Sequence, residues 1–365
     1  MLVIPSVVEG SGKGVVLGAW AHWSLTGHSP RNLVTTLFKK LNFSPQTLST
    51  PSTMSDSLIL GFDIGGTKCA ALVGDIHGTV LARREWPSIA TRGPQAMLAD
   101  FLAAAEALRD AHPGVKACGV SIGGPLDANE GVIYSPPNLP GWDAIPLKQQ
   151  LQNTLGLPVF VEHDAAACAW AEYLWGQPRS TGNLIYITSG TGFGAGYILQ
   201  GQIYRGAKGR SPEVGHARFA EDGPFAYEKK GSVEAFCSGA SLSRLAAWKF
   251  PQRWSAQPPA GPELGKLAAA GDADASAVIS LSAHATGQVC ANLIDTFAPD
   301  VIVLGSLARH LGEVWIAQVK ETCQREALPG LHELCLVRAT SLDSRLQDCS
   351  TLAIALDASG QFRTS

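Results

Sequence analysis

The sequence predicts an α/β protein built from two related halves that face each other across a cleft. Three observations carry this expectation. At 365 residues the chain is too long for one ordinary hydrophobic core. Buried-strand patterns alternate with helical ones along most of its length. A strand, a Gly/Thr turn, a strand, a turn and a third strand begin near residue 58 and return near residue 183. This is an internal repeat of structure rather than of sequence.

The elements follow in order. Residues 58–63 (LILGFD) read as a buried strand, 64–68 (IGGTK) as a turn, and 69–74 as the returning strand. A third strand spans 79–85 after the His77-Gly78 turn. Residues 94–111 are helical, with Ala and Leu on the buried face. A strand over 115–122 ends in Gly123-Gly124-Pro125. A helix over 147–155 precedes a strand at 158–162, which runs into a helix over 165–174. The opening theme then returns as a strand at 183–188, the turn Ser189-Gly190-Thr191-Gly192, a strand at 193–199 and the start of another at 201–204. Helices follow over 239–248, 263–270 and 274–297. A late strand at 300–304 runs into Gly305-Ser306, with a strand at 335–338 and a closing helix near 346–356. Two α/β halves, each begun by a β-meander, is the layout of the actin-like ATPase (ribonuclease H-like) fold, with nucleotide and substrate held in the cleft. The expected divisions are an N-terminal α/β domain over 55–165 and a C-terminal α/β domain over 166–365, whose last helix packs back on the first.

Composition narrows the function. Apolar residues make up 45% of the chain and charged residues 16%, ample for two cores. A net charge of −3 leaves no basic footprint for nucleic acid. No stretch of about 18 apolar residues is free of charge and turn residues, so no transmembrane helix is expected. The eight cysteines are widely spaced, with no C-x-x-C pair, which fits buried thiols in a reducing cytoplasm. Residues 1–54 are rich in Gly, Ser, Pro and Thr without a clear period and read as a disordered or spurious extension. Met54 is then the expected start of translation, and a native mass lacking residues 1–53 would support it.

Five motifs carry chemistry. In 62–68 (FDIGGTK) the glycines Gly65 and Gly66 let the backbone approach a phosphate, Thr67 adds a hydroxyl and Lys68 a charge. Asp63 at the strand end can hold Mg²⁺ through water. The plainer reading is a tight hairpin. In 189–196 glycines stand at four alternate positions, more than a hairpin needs, so Gly190, Thr191 and Gly192 suggest a second phosphate clamp. In Glu162-His163-Asp164 a strand ends at a helix start, and Asp164 is the candidate general base for phosphoryl transfer to a hydroxyl. An Asp there is equally at home as a helix cap. Glu213 and His216 of 212–216 (PEVGH), with Glu234 beside a helix start, can hold sugar hydroxyls, or belong to a surface loop and a helix start whose Glu serves as a cap. The Pro-rich loop 135–142 can close over the cleft and aim Asn138 at a ligand, or simply pack as a connection.

These motifs, in their order and spacing over residues 58–356, resemble the ROK family (repressors, open reading frames and sugar kinases). The matching segments are FDIGGTK at 62–68, GVSIGGPLD at 119–127, SPPNLPGW at 135–142, VEHDAAACAWAEYLWG at 161–176, SGTGFGAGYILQGQIYRGAKG at 189–209, PEVGH at 212–216 and PDVIVLG at 299–305. The resemblance implies a hexokinase-like kinase that uses ATP and Mg²⁺, with Asp164 as base, most commonly on the 6-hydroxyl of glucose. It implies ATP contacts from 65–67, 190–192 and Gly305, and sugar contacts from Gly124, Asn138, His163, Glu213, His216 and Glu234. A cytoplasmic homodimer without nucleic-acid or membrane partners goes with it. Three positions depart from the family. Its zinc-binding C-x-C-G-x-x-G-C-x-E is represented by Phe225, Tyr227 and Ser232, leaving only His216, so no zinc is expected and packing of Phe225 and Tyr227 takes its place. The Asn of its E-N-D motif is His163, and its late Gly-Gly is Gly305-Ser306. The alternatives are a sugar-responsive transcriptional regulator, for which residues 1–53 offer no two-helix pattern, and a sugar-binding protein without turnover. N-acetylated hexosamines, mannose, fructose and allose are open as substrates beside glucose.

Overall fold

The computed structural model describes residues 57–180 and 182–363. The expectations of an extension over 1–54 and a start at Met54 lie outside the described residues. Strands β1 (Leu58–Ile64), β2 (Lys68–Asp75) and β3 (Val80–Pro87) form the first meander. β1 and β2 are almost wholly buried, as strands covered on both faces must be. β3 is the edge and carries the charges Arg83, Arg84 and Glu85, which discourage further pairing. Helix α1 (Gly93–Ala111) has Pro94 in its first turn and buries Met97, Phe101, Ala104, Ala105 and Leu108, an i, i+4, i+7 stripe. β4 (Val115–Ile122) follows, then the small sheet of β5 (Leu126–Asp127), β6 (Val132–Ile133) and β7 (Ile145–Pro146). Helix α2 (Leu147–Leu155) stops at Gly156 in left-handed backbone, φ 65°. β8 (Val159–His163) feeds helix α3 (Asp164–Trp175).

The second half repeats the plan. β9 (Leu184–Ser189), β10 (Phe193–Leu199) and β11 (Gln202–Ile203) form its meander, and β12 (Phe225–Ala226) pairs with β13 (Lys229–Lys230) in a hairpin. Helices α4 (Val233–Cys237), α5 (Ser241–Lys249), α6 (Pro251–Trp254), α7 (Gly261–Ala269) and α8 (Ala273–Phe297) precede β14 (Val301–Leu304). Helices α9 (Ser306–Glu326) and α10 (Pro329–His332), β15 (Leu336–Ala339) and α11 (Leu346–Ala353) complete it. The sheet orders are β3-β2-β1-β4-β8 and β11-β10-β9-β14-β15. In each, an antiparallel meander is extended by two parallel strands, so the repeat seen in the sequence is a repeat of topology. This is the actin-like ATPase layout.

Helix α8 bears on the expectation that no helix crosses a membrane. By length and composition it could cross a membrane, yet 61% of its most apolar stretch is buried inside the fold. It packs on α7, α9, α4 and α5 and is a core helix here. One core fills the first half, a second fills the α8–α9 side, and a third lies between the sheets. That third core joins Ile59 and Leu72 of the first sheet to Leu184 and Tyr186 of the second through α3 and α11. The contacts are close: a Cβ on Gly119 would stand 2.0 Å from the Thr351 carbonyl oxygen, and one on Gly196 2.1 Å from that of Ala165. Glycine at these strand positions lets the two helices lie directly on the sheets. The closing helix α11 thus packs on β1 and β4.

Candidate active site

Asp63 sits at the end of β1, paired across the sheet with Ala70 and Ser121. Its carboxyl is pushed up to about 7, first by burial and then by the carboxylates of Asp164 and Asp348, against the pull of Lys68 and Arg83. Beyond it, Gly66 and Thr67 are exposed at the turn. A Cβ on Gly66 would come within 2.5 Å of the Asn138 Cβ, so the 135–142 loop lies on the turn and brings Asn138 to it. Lys68 does not point along the turn. Its Nζ pairs with Glu85 on β3 at 2.9 Å, in a chain that continues from Glu85 to Arg83 and Asp348.

Asp164 opens α3. His163, in extended backbone, occupies the cap position and makes no side-chain cap bond; Asp164 is the first helical residue. Its Oδ1 accepts from the Ala165 N–H at 2.6 Å, and its side chain is 52% exposed. A carboxylate here is favoured by the helix dipole and still reachable by a ligand. The His163 Nδ1 stands 3.3 Å from Asp164 Oδ1 and, buried, has no hydrogen-bond partner. The same ring covers Gly124, where a Cβ would meet its Cδ2 at 2.8 Å.

Two buried carboxylates hold this corner. Glu162 accepts from Arg205 Nε at 2.7 Å and from the His163 N–H at 3.1 Å. Glu172, in the C-terminal third of α3, accepts from Thr340 and from the Ser341 N–H and pairs with Arg338 at 2.9 Å.

On the opposite half, the β9–β10 turn is gripped from outside. The Ala240 N–H donates to the Gly190 carbonyl at 3.1 Å, and the Phe193 N–H donates to Glu234 Oε2 at 3.1 Å. Burial raises the Glu234 carboxyl, Glu213 adds to the rise, and the Phe193 N–H and Arg244 oppose it. Glu213 precedes and His216 ends a short 3-10 turn over Val214–His216, whose Gly215 lies against the Phe193 carbonyl. Both contact Tyr227: its hydroxyl donates to Glu213 Oε2 at 2.9 Å, and the His216 ring stands edge-on to its ring at 5.0 Å.

The three positions that correspond to the family's zinc cysteines have diverged separately. Phe225 is 61% exposed, so the expected packing of Phe225 does not occur; it lies on the outer side of its two-residue strand. Tyr227 does pack. Ser232 is buried and caps α4 through the Ala235 N–H. None of the three side chains is of a type that binds zinc, and among the described residues no group of three His, Cys, Asp or Glu is arranged to hold a metal.

A cavity of about 1040 Å³ opens beside Gly190 and Thr191, walled by α5, α7, α8 and α9. Ser306 and Leu307 line it where Gly305 was expected. The α-face of Gly305 is occupied by the Tyr186 hydroxyl, 2.5 Å from where a Cβ would stand. Lys266, His310 and Gln318, also in the wall, were not singled out from the sequence. They lie on helices with no motif around them, and α9 itself is interrupted at Gly312, φ 72°.

The ROK family model matches residues 59–347. The glucokinase of Streptomyces coelicolor is 38% identical over 190 residues, which are 52% of this chain and 59% of that protein, so the aligned region spans somewhat over half of its length. The ROK hexokinase structure from Thermus thermophilus has a TM-score of 0.71 at 31% identity, covering 81% of this chain and 97% of that one. The ROK glucokinase of Streptomyces griseus, solved in complex with glucose and AMPPNP, has a TM-score of 0.68 at 28% identity, covering 82% and 98%. On its motif order, its paired sheets and these likenesses, the chain belongs to the ROK family.

Proposed function

We propose that this chain is a sugar kinase that transfers the γ-phosphoryl group of ATP to a hydroxyl of a hexose, with glucose giving glucose 6-phosphate as the first expectation. The observation that carries the reading is the Asp164 carboxylate. It is half-exposed at the start of a helix anchored near its far end by Glu172, and near enough to Asp63 to raise that group's pKa. In the proposed reaction Asp164 takes the proton as the hydroxyl oxygen bonds to the γ-phosphorus and the bond to ADP breaks. The turns at 65–67 and 190–192 supply backbone N–H donors to the phosphates. The 1040 Å³ cavity beside Gly190 has room for the nucleoside. Asn138, His163, Glu213, His216 and Glu234 are assigned to the sugar.

Asp63, an oxygen donor whose charge is opposed by two neighbouring carboxylates, fits a role beside Mg²⁺. When bound, the ion neutralises phosphate charge. A homodimer in the cytoplasm goes with the reading.

The test is ADP release from the purified chain with Mg-ATP across hexoses and N-acyl hexosamines. Sugar-dependent release names the substrate, and no release with any sugar defeats the proposal. In the Asp164→Asn variant kcat is expected to fall by about 10²- to 10⁴-fold with sugar affinity retained. A near-normal kcat would remove Asp164 from its role.

A further inference from the structure

Glu213 and His216 are both exposed, and the side-chain contact they share is Tyr227. Tyr227 reaches them because the β12–β13 hairpin turns through two residues in left-handed backbone, Tyr227 at φ 50° and Glu228 at φ 63°. A two-residue turn of this kind normally carries Asn-Gly, and a bulky residue at positive φ is an outlier. Such strain persists only where the surroundings fix it. They do so here. Ser232 Oγ donates to the Ala226 carbonyl at 2.8 Å, and the Gly231 N–H donates to that of Pro224 at 3.1 Å. The same Ser232 caps the helix that carries Glu234. The hairpin, the 3-10 turn and Glu234 are therefore tied into one unit, with the phenol at its centre.

We infer that Tyr227 is the positioning residue of the sugar site: its hydroxyl holds the Glu213 carboxylate, and its ring holds the His216 imidazole, in place before a polyhydroxylated ligand arrives. This rests on the sugar-kinase reading. With Oε2 engaged by the phenol, Oε1 of Glu213 is left to accept from ligand hydroxyls. The rotamer freedom of a long acidic side chain is already spent, which a ligand would otherwise have to offset on binding. An organic side chain thus does, at this place, the ordering work that the family resemblance would assign to a metal.

The test uses the full chain with Tyr227→Phe, which removes one oxygen and keeps the ring. Sugar KM, and sugar Kd measured by calorimetry without ATP, are expected to rise about tenfold. The kcat and the KM for ATP are expected to stay within about twofold, since the phenol touches neither the base nor the nucleotide cavity. In a Glu213→Ala background the same change is expected to add nothing, because its acceptor is gone. An active wild type with an unchanged Tyr227→Phe variant, or an effect that persists in full without Glu213, overturns the inference while leaving the kinase reading intact. A wild type that turns over no sugar defeats both.

Discussion

Replacing Arg205 by alanine is expected to destabilise the fold and slow turnover together, because its partner stands two residues from Asp164. Glu162 has no solvent exposure, and its Oε2 faces both Arg205 Nε at 2.7 Å and Nη2 at 2.6 Å. Stripping one partner from a buried ion pair costs about 3–5 kcal/mol, since the other charge is left without water or a counter-ion. Two features move this pair to the low end. The Arg205 side chain is 25% exposed. Arg363 also lies near, over the rings of Phe160 and Trp170, with its pKa lowered by burial and then by the charge of Arg205, against the pull of Glu162. A cost of about 3 kcal/mol, at about 1.5–2 °C per kcal/mol for a fold of about 300 residues, gives a Tm drop of roughly 4–6 °C.

Thermal unfolding measures the cost, and single-turnover phosphorylation measures the effect on the base. The double variant Glu162→Gln/Arg205→Met is expected to regain most of the stability, because both charges leave together. It is expected to stay slow, because the tether beside Asp164 is weakened. An Arg205→Ala protein that melts within about 1 °C of wild type would refute the argument from desolvation.

Two further outcomes follow from the same geometry. The Asp63 carboxyl, raised to about 7 in the fold, favours the folded state most below about pH 4. That contribution is lost as pH rises through 7. In EDTA the wild-type Tm is therefore expected to fall between pH 5 and 8 more than that of Asp63→Asn, and equal slopes in the two proteins would contradict the assigned electrostatics. Gly196→Ala would put a methyl 2.1 Å from the Ala165 carbonyl oxygen and 2.7 Å from the Ala166 Cα. A backbone clash on this scale costs about 1–3 kcal/mol and pushes the start of α3 off β10, so kcat is expected to fall with Tm. An unchanged kcat would show that α3 relaxes without moving Asp164.

The sequence by itself determined the strands of the two five-stranded sheets, the two glycine turns, the repeat of the meander and the family. These are written locally: a period of two, runs of apolar residues and glycines at fixed offsets leave their mark within about ten residues. It also brought out Asp164 and Glu234, because each stands at the boundary of an element. The tertiary structure decided what those residues touch. It put His163 rather than Asp164 at the cap, turned Lys68 toward Glu85, left Phe225 in solvent and seated Tyr227 between Glu213 and His216. It formed α9 over Ser306–Glu326, for which the sequence suggested no element between the strands at 300–304 and 335–338, and packed it on α8. Glu162 finds Arg205 43 residues away and Glu172 finds Thr340 168 residues away. Contacts of that range leave no periodic trace in the chain, because what fixes them is the burial of a charge that needs a partner wherever the fold brings one.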